Sequence, residues 1–121
     1  MIIIRRAQIT QNKRKYIGLL VVSTDPTIER DFRRMLHNID QVDFFVSRVP
    51  YAGVYTPENY RAMEGEINRA TALILPGDQL EIIAYGCTSA SIETGEPIIF
   101  HRVREVPPDI ACTTPITAAH K

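Results

Sequence analysis

The sequence lacks tryptophan, contains only two cysteines and carries no net charge, with 14 Lys and Arg balanced by 14 Asp and Glu among 121 residues. A balanced charge provides no long-range field to attract phosphates or acidic lipids, so we expect no nucleic acid and no membrane as partner. Two cysteines are too few for the disulfide framework of a small secreted protein. The expected partner is therefore a small molecule.

Long apolar runs and targeting signals are also missing. Apolar runs such as residues 16–22 and 80–85 are far shorter than the ~20 residues that a membrane-spanning helix needs. Residues 1–15 place apolar side chains before basic ones and contain no signal-peptide cleavage site. We predict a cytoplasmic protein with a tail over residues 1–15 and a single domain over residues 16–121.

Motifs for common cofactors are absent as well. Neither GxxxxGK[ST] nor GxGxxG occurs in the sequence, which disfavours a nucleotide cofactor. No spacing among Cys, His and carboxylate residues resembles a zinc site. We therefore expect no metal and no cofactor. A cysteine hydrolase is also disfavoured, because no His or Asp is placed by the sequence to serve a cysteine.

Apolar runs alternate with helical patterns along the chain, which is typical of βα units. The first run is apolar on both faces, as in a central parallel strand. The predicted strands cover residues 16–22, 42–49, 80–85 and 109–112. The order β-α-β-α-β-α-β predicts an α/β fold, with a doubly wound parallel sheet of about four strands.

The predicted helices follow start and stop signals. Asp25 is placed to cap a first helix that begins at Pro26 and ends near Asn38. Its apolar stripe predicts a helix packed on one side, and consists of Ile28, Phe32, Met35 and Leu36. A second helix follows Thr56-Pro57 and ends by Pro76-Gly77, a weaker one covers residues 96–105, and a last helix starts at Pro115.

Three polar turns follow predicted strands: Ser23-Thr24-Asp25, Cys87-Thr88-Ser89 and Thr113-Thr114. Because the carboxyl ends of parallel strands meet at one edge of a sheet, we expect these turns to lie close together. Hydroxyls and free backbone N–H groups at a helix start suit a carboxylate ligand. The sequence therefore predicts a site for a small carboxylate.

The two cysteines allow different interpretations. Cys87 falls at or just before a helix start, where the helix dipole favours a thiolate that can act as nucleophile or base. The alternative for Cys87 is a small buried side chain at a strand end, because free cysteines are often buried. Cys112 lies inside an apolar strand, and for this residue we expect a structural role.

Four segments resemble a known family in order and spacing: IGLLVVSTDPTIERDF, TPENYRAM, IIAYGCTSASIETG and TTPITAA. They are similar to the N-terminal half of the Asp/Glu racemase superfamily, and within it to maleate cis-trans isomerases, especially ectoine-utilisation members. The likeness covers residues 16 to about 119. It implies one of two flavodoxin-like halves related by a pseudo-twofold axis, with substrate carboxylates between the halves, one cysteine from each half and no cofactor.

The resemblance also implies roles for individual residues. Cys87 matches the first catalytic cysteine of the family. The residues matched to substrate binding are Ser23, Thr24, Asp25, Thr88, Ser89, Thr113 and Thr114. Maleate isomerases usually have Asn at the position of Asp25, whereas ectoine-utilisation members have Asp, so the implied substrate is maleate-like or an amino-acid derivative such as a diaminobutyrate.

The family has roughly twice as many residues as this chain, and Cys112 cannot replace its second cysteine because it lies within a strand. We therefore expect a cofactor-independent isomerase or racemase domain that is incomplete without a second half. We also expect homo-oligomerisation, or association through the surface that the second half would cover. The alternative is a non-catalytic α/β module that binds a small carboxylate or a protein.

Overall fold

The computed structural model describes residues 14–120, so the predicted tail falls largely outside the described part. The elements alternate along the chain as β1 Lys15–Val22, α1 Ile28–Leu36, β2 Val42–Val49, α2 Pro57–Ala72, β3 Ile82–Tyr85, α3 Thr88–Glu93, α4 Glu96–Arg104, β4 Ala111–Thr113 and α5 Pro115–Ala119. No helix within residues 14–120 is long and apolar enough to cross a membrane.

The four strands form one parallel sheet in the order β2-β1-β3-β4. This order confirms the predicted doubly wound α/β fold. The chain leaves β1 toward β2 on one side and returns past β1 to β3 on the other. The strand order therefore reverses between β1 and β3, which is where ligands of such sheets usually bind.

The main core lies between the sheet and the helices α2 and α4. Leu20 of β1 pairs in register with Tyr85 of β3, and both belong to one buried cluster. The buried side chains that these two helices contribute are Met63, Ile67, Ala70, Ile99 and Val103. Burial of these apolar side chains stabilises the sheet and fixes the turns at its carboxyl edge.

Helix α1 differs from the prediction in two respects. It begins at Ile28 and not at Pro26, because Thr27 has a non-helical φ of −119°. It also contains no fully buried residue, and Met35 is 66% exposed. The helix packs against the edge strand β2, where Phe32 meets Phe44 at 5.7 Å between ring centroids. Part of its apolar stripe therefore faces outward.

The start of β4 was predicted too early in the chain, and the end of α2 was predicted too late. Strand β4 begins at Ala111 and not at Asp109, since Asp109 has a φ of +62°, which is incompatible with a strand. Helix α2 ends at Ala72, before the predicted Pro76-Gly77 stop, although Ile74, two residues further on, remains buried. Its start is as predicted, because the Thr56 hydroxyl accepts a hydrogen bond from the Asn59 N–H.

Candidate functional site

Two of the three polar turns meet at the carboxyl edge of the sheet, between β1 and β3. They are joined by a backbone hydrogen bond of 2.9 Å from the Gly86 N–H to the Leu20 carbonyl. A cavity of about 410 Å³ opens there. Five of the predicted site residues line this cavity: Thr24, Asp25, Cys87, Thr88 and Ser89.

Cys87 is the residue preceding α3, as the sequence predicted. Its backbone is extended, with φ −140° and ψ 112°, while its carbonyl accepts hydrogen bonds from the N–H and hydroxyl of Ser91. The side chain is half-buried, and its Sγ lies 3.6 Å from the Ser89 hydroxyl. The backbone is thus held firmly, and the residue lines the cavity with its sulfur beside a polar group while it also packs against the core cluster.

Gly86 allows the turn before Cys87 to pass close to α1. A Cβ added at this position would lie 2.4 Å from Cδ1 of Ile28 and 3.3 Å from the Leu20 carbonyl oxygen. The first distance is shorter than any ordinary carbon–carbon contact. The close approach therefore brings the start of α1, with Asp25, next to Cys87.

Asp25 was predicted to cap α1, but the N-cap is Thr27, and Asp25 lies two residues before it. It accepts hydrogen bonds at the start of α1 and contributes a negative charge to the cavity. Its Oδ1 accepts hydrogen bonds from the Thr27 N–H, the Ile28 N–H and the Thr27 hydroxyl. These bonds, first that from the Thr27 N–H, lower the pKa of the carboxyl group, with a smaller contribution from Arg48. Asp25 is consequently a carboxylate at neutral pH.

Ser23, Thr113 and Thr114 do not line this cavity. The Ser23 hydroxyl accepts a hydrogen bond from the Tyr51 N–H at 3.0 Å and so attaches the β2–α2 loop to β1. Thr114 is buried, caps α5 and donates a hydrogen bond to Glu96 at 2.8 Å. Because β4 is one strand beyond β3, the turn that follows it lies to one side of the Cys87 turn.

Three tyrosines that the sequence did not assign to the site line the cavity: Tyr51, Tyr55 and Tyr60. Their rings form a continuous series, with centroids 5.6 Å apart for the first pair and 6.3 Å apart for the second. The Tyr51 hydroxyl is buried and has no hydrogen-bond partner among the described residues. Burial raises its pKa, so it is a neutral phenol. The sequence did contain one signal for this aromatic wall, because three of its five tyrosines fall within ten residues.

Cys112 and Cys87 both pack against the core cluster, but their sulfur atoms have different polar neighbours. Cys112 lies in β4 and has its Sγ 3.5 Å from the Ile110 carbonyl oxygen. Burial raises the pKa of its thiol, which favours the unreactive protonated form. Within residues 14–120, no group of three or more His, Cys, Asp or Glu side chains is arranged to hold a metal ion.

Comparisons of the whole chain with known proteins gave matches among solved structures only. No family model and no curated protein sequence matches the chain. The structure is similar to the maleate isomerase of Pseudomonas putida S16, with a TM-score of 0.70 and 22% identity over 89% of this chain and 47% of that one. The structure is also similar to a cysteine-to-serine mutant of the Nocardia farcinica maleate cis-trans isomerase, which holds a covalent succinylcysteine intermediate. The TM-score is 0.68, with 23% identity over 87% of this chain and 46% of that one.

The likeness establishes the fold. The chain spans about half the length of the isomerases that it matches. At this level of identity the similarity concerns the path of the backbone, and the chemistry of the cavity has to be argued from its own residues.

Proposed function

We propose that this chain is a domain of the Asp/Glu racemase superfamily that isomerises or racemises a small carboxylic acid through Cys87. The observation that carries the proposal is the position of Cys87, in a cavity at the carboxyl end of β3 where the strand order reverses. Two further features support it: the Ser89 hydroxyl beside the sulfur, and the covalent cysteine adduct in one of the similar structures.

In the proposed reaction the Cys87 thiolate acts as a nucleophile toward one class of acid and as a base toward the other. For a maleate-like acid, a C–S bond forms as the double bond opens, the resulting single bond rotates, and the thiolate leaves as the double bond is restored. For an amino-acid derivative, the thiolate instead removes the proton from the carbon next to the carboxylate, and the Cys87 thiol of a second copy returns a proton to the opposite face of that carbon, which inverts it. In this proposal the hydroxyls of Thr24, Thr88 and Ser89, which line the cavity, hold the carboxylate. Neither route requires a metal or an organic cofactor.

The substrate in this proposal is either a maleate-like acid or an amino-acid derivative such as a diaminobutyrate, as in ectoine utilisation. Asp25 favours the second choice, because a carboxylate in the cavity repels a dicarboxylate. The proposed compartment is the cytoplasm, where Cys87 and Cys112 would stay reduced.

We also propose that a second copy of this chain completes the site. Apolar side chains are exposed at the mouth of the cavity and of a neighbouring cavity that shares Tyr55 and Tyr60 with it. They are Tyr55, 73% exposed, and Ile98, 47% exposed. Exposed apolar side chains grouped around a cavity are typical of an interaction surface.

The test measures the reactivity of Cys87 and then turnover. Alkylation by iodoacetamide, followed by mass spectrometry across a range of pH, should modify Cys87 at a lower pH and faster than Cys112. Purified chain should then isomerise maleate or racemise 2,4-diaminobutyrate, with loss of activity in Cys87→Ser and not in Cys112→Ser. If Cys87 reacts no faster than Cys112, the nucleophilic role is wrong. Ligand binding that Cys87→Ser leaves unchanged, without any turnover, would identify a non-catalytic binding module.

A further inference from the structure

The cavity beside Cys87 has an unusual combination of walls for a site that receives an acid. Among the described residues that line it there is no lysine, arginine or histidine. Asp25 is the only Asp or Glu among them, and its low pKa keeps it ionised. A ligand with two carboxylates would therefore meet a negatively charged side chain and no positively charged one among the described residues that line the cavity.

Asp25 has capacity for one more hydrogen bond. Its hydrogen bonds at the start of α1 all go to one oxygen, Oδ1. No donor among residues 14–120 makes a hydrogen bond to Oδ2. Arg48 lies nearby, but its guanidinium donates to the Asp25 backbone carbonyl and to the Glu29 carboxylate. An unshared carboxylate oxygen is therefore free to accept a hydrogen bond from a ligand.

Another part of the cavity wall is aromatic. The rings of Tyr51, Tyr55 and Tyr60 follow one another along the wall. The face of a neutral phenol ring carries partial negative charge, which attracts ammonium groups. A carboxylate accepts charge-assisted hydrogen bonds from an ammonium group, and nearby aromatic faces add cation–π attraction.

We infer that the Cys87 cavity selects a carboxylic acid that also carries an ammonium group, which Asp25 Oδ2 and the three tyrosine rings bind. This inference rests on the proposed function, because it concerns the ligand of the same site. It narrows the two substrate classes to the amino acids and excludes dicarboxylates such as maleate. The carboxylate of the ligand then faces the hydroxyls of Thr88 and Ser89.

The test measures binding without turnover, in the Cys87→Ser background, by calorimetric titration. The probes are 2,4-diaminobutyrate and maleate, which both contain four carbons. We expect diaminobutyrate to bind at least about tenfold more tightly, which corresponds to about 1.4 kcal/mol. Because the readout does not require Cys87, failure of the proposed chemistry leaves this result unaffected. Maleate binding as tightly as diaminobutyrate would overturn the inference.

Substitutions identify the groups responsible. Asp25→Asn keeps an oxygen for the hydrogen bonds at the start of α1 and removes the charge, so it should weaken diaminobutyrate binding at least about tenfold and leave maleate binding equal or stronger. Asp31→Asn, on the exposed surface of α1, is the matched control and should change neither. Thermal unfolding checks that each variant folds. Equal losses for both probes in Asp25→Asn would indicate a structural role only, and would contradict the inference.

The aromatic part of the site has its own control. Tyr55 is 73% exposed, so its replacement should not prevent folding. Tyr55→Leu should weaken diaminobutyrate binding several-fold, whereas Tyr55→Phe, which retains the ring, should keep it. If Tyr55→Phe and Tyr55→Leu behave alike, the ring face is not the binding group.

Arg61→Gln tests a dicarboxylate alternative, because Arg61 lines the neighbouring cavity. If the wild type binds maleate tightly and Arg61→Gln loses that binding, the inference is wrong and the ligand is a dicarboxylate.

Discussion

The guanidinium of Arg48 lies 2.6 Å from the Glu29 carboxylate and so connects β2 to α1. The same guanidinium donates hydrogen bonds to the carbonyls of Val22, Ser23 and Asp25. One side chain of the edge strand therefore holds the whole β1–α1 turn. It does so from outside the cavity, so its contribution to the site is one of positioning.

The first prediction concerns Arg48. Arg48→Met should lower the free energy of unfolding by about 1 kcal/mol, because a half-exposed ion pair contributes little and most of the loss comes from unpaired carbonyls. Ligand affinity should fall as well, since Asp25 is less firmly placed. Urea denaturation and calorimetric titration measure the two effects. Arg30→Met, on the exposed part of α1, is the control; an equal loss there would show that Arg48 has no particular role.

The second prediction compares two glycines. Gly86→Ala should destabilise the protein by about 1–2 kcal/mol, because its Cβ would displace Ile28 and crowd the Leu20 carbonyl. Gly65→Ala, in the middle of α2 with open space around it, should stabilise the protein by about 0.5–1 kcal/mol. Thermal unfolding of both variants gives the comparison. Similar shifts in both would mean that the approach of α1 to Gly86 is not tight.

The third prediction concerns stability in acid. Glu96 accepts hydrogen bonds from the hydroxyls of Thr117 and Thr114, and these bonds lower the pKa of its carboxyl group below the ordinary value of 4.5. A lowered pKa in the folded state stabilises the fold above the ordinary pKa, and this stabilisation is lost as the pH falls through the lowered value.

Glu96→Gln should therefore have a lower melting temperature than the wild type at pH 7, and the difference should disappear toward pH 3. Melting curves across this range measure it. Glu93→Gln, an exposed neighbour, should show no such dependence. A difference between Glu96→Gln and wild type that stays constant with pH would rule out the carboxylate as its source.

The fourth prediction concerns association. If a second copy covers the mouth of the two cavities, Ile98→Glu should shift the chain from dimer to monomer, because it places a charge on an apolar contact surface. Light scattering during size-exclusion chromatography measures the mass. Leu73→Glu is the matched control, since Leu73 is 69% exposed at the opposite end of α2. A wild-type chain that is monomeric at every concentration would contradict the proposal.

The sequence predicted those features that depend on local pattern. Strand β1 was predicted because its residues are apolar on both faces, and α2 because Thr56-Pro57 marks its start. Features that depend on distant partners were not predicted. Thr114 interacts with Glu96, which is 18 residues away, and the three tyrosines form one wall only through the path of the β2–α2 loop. Met35 is exposed because α1 lies over an edge strand, and edge strands cannot be identified from one sequence.

The turns that contain Asp25 and Cys87 lie at the carboxyl edge of the sheet. The loops before β3 and β4 lie at the opposite edge, because all four strands are parallel. Gly77 in the α2–β3 loop has a φ of +91° and no atom near its position for a side chain. A fluorescent reporter or an affinity peptide inserted between Gly77 and Asp78 would therefore leave the Cys87 cavity and its approach unobstructed. That edge is the natural place to immobilise the protein for single-molecule or surface-based ligand screening.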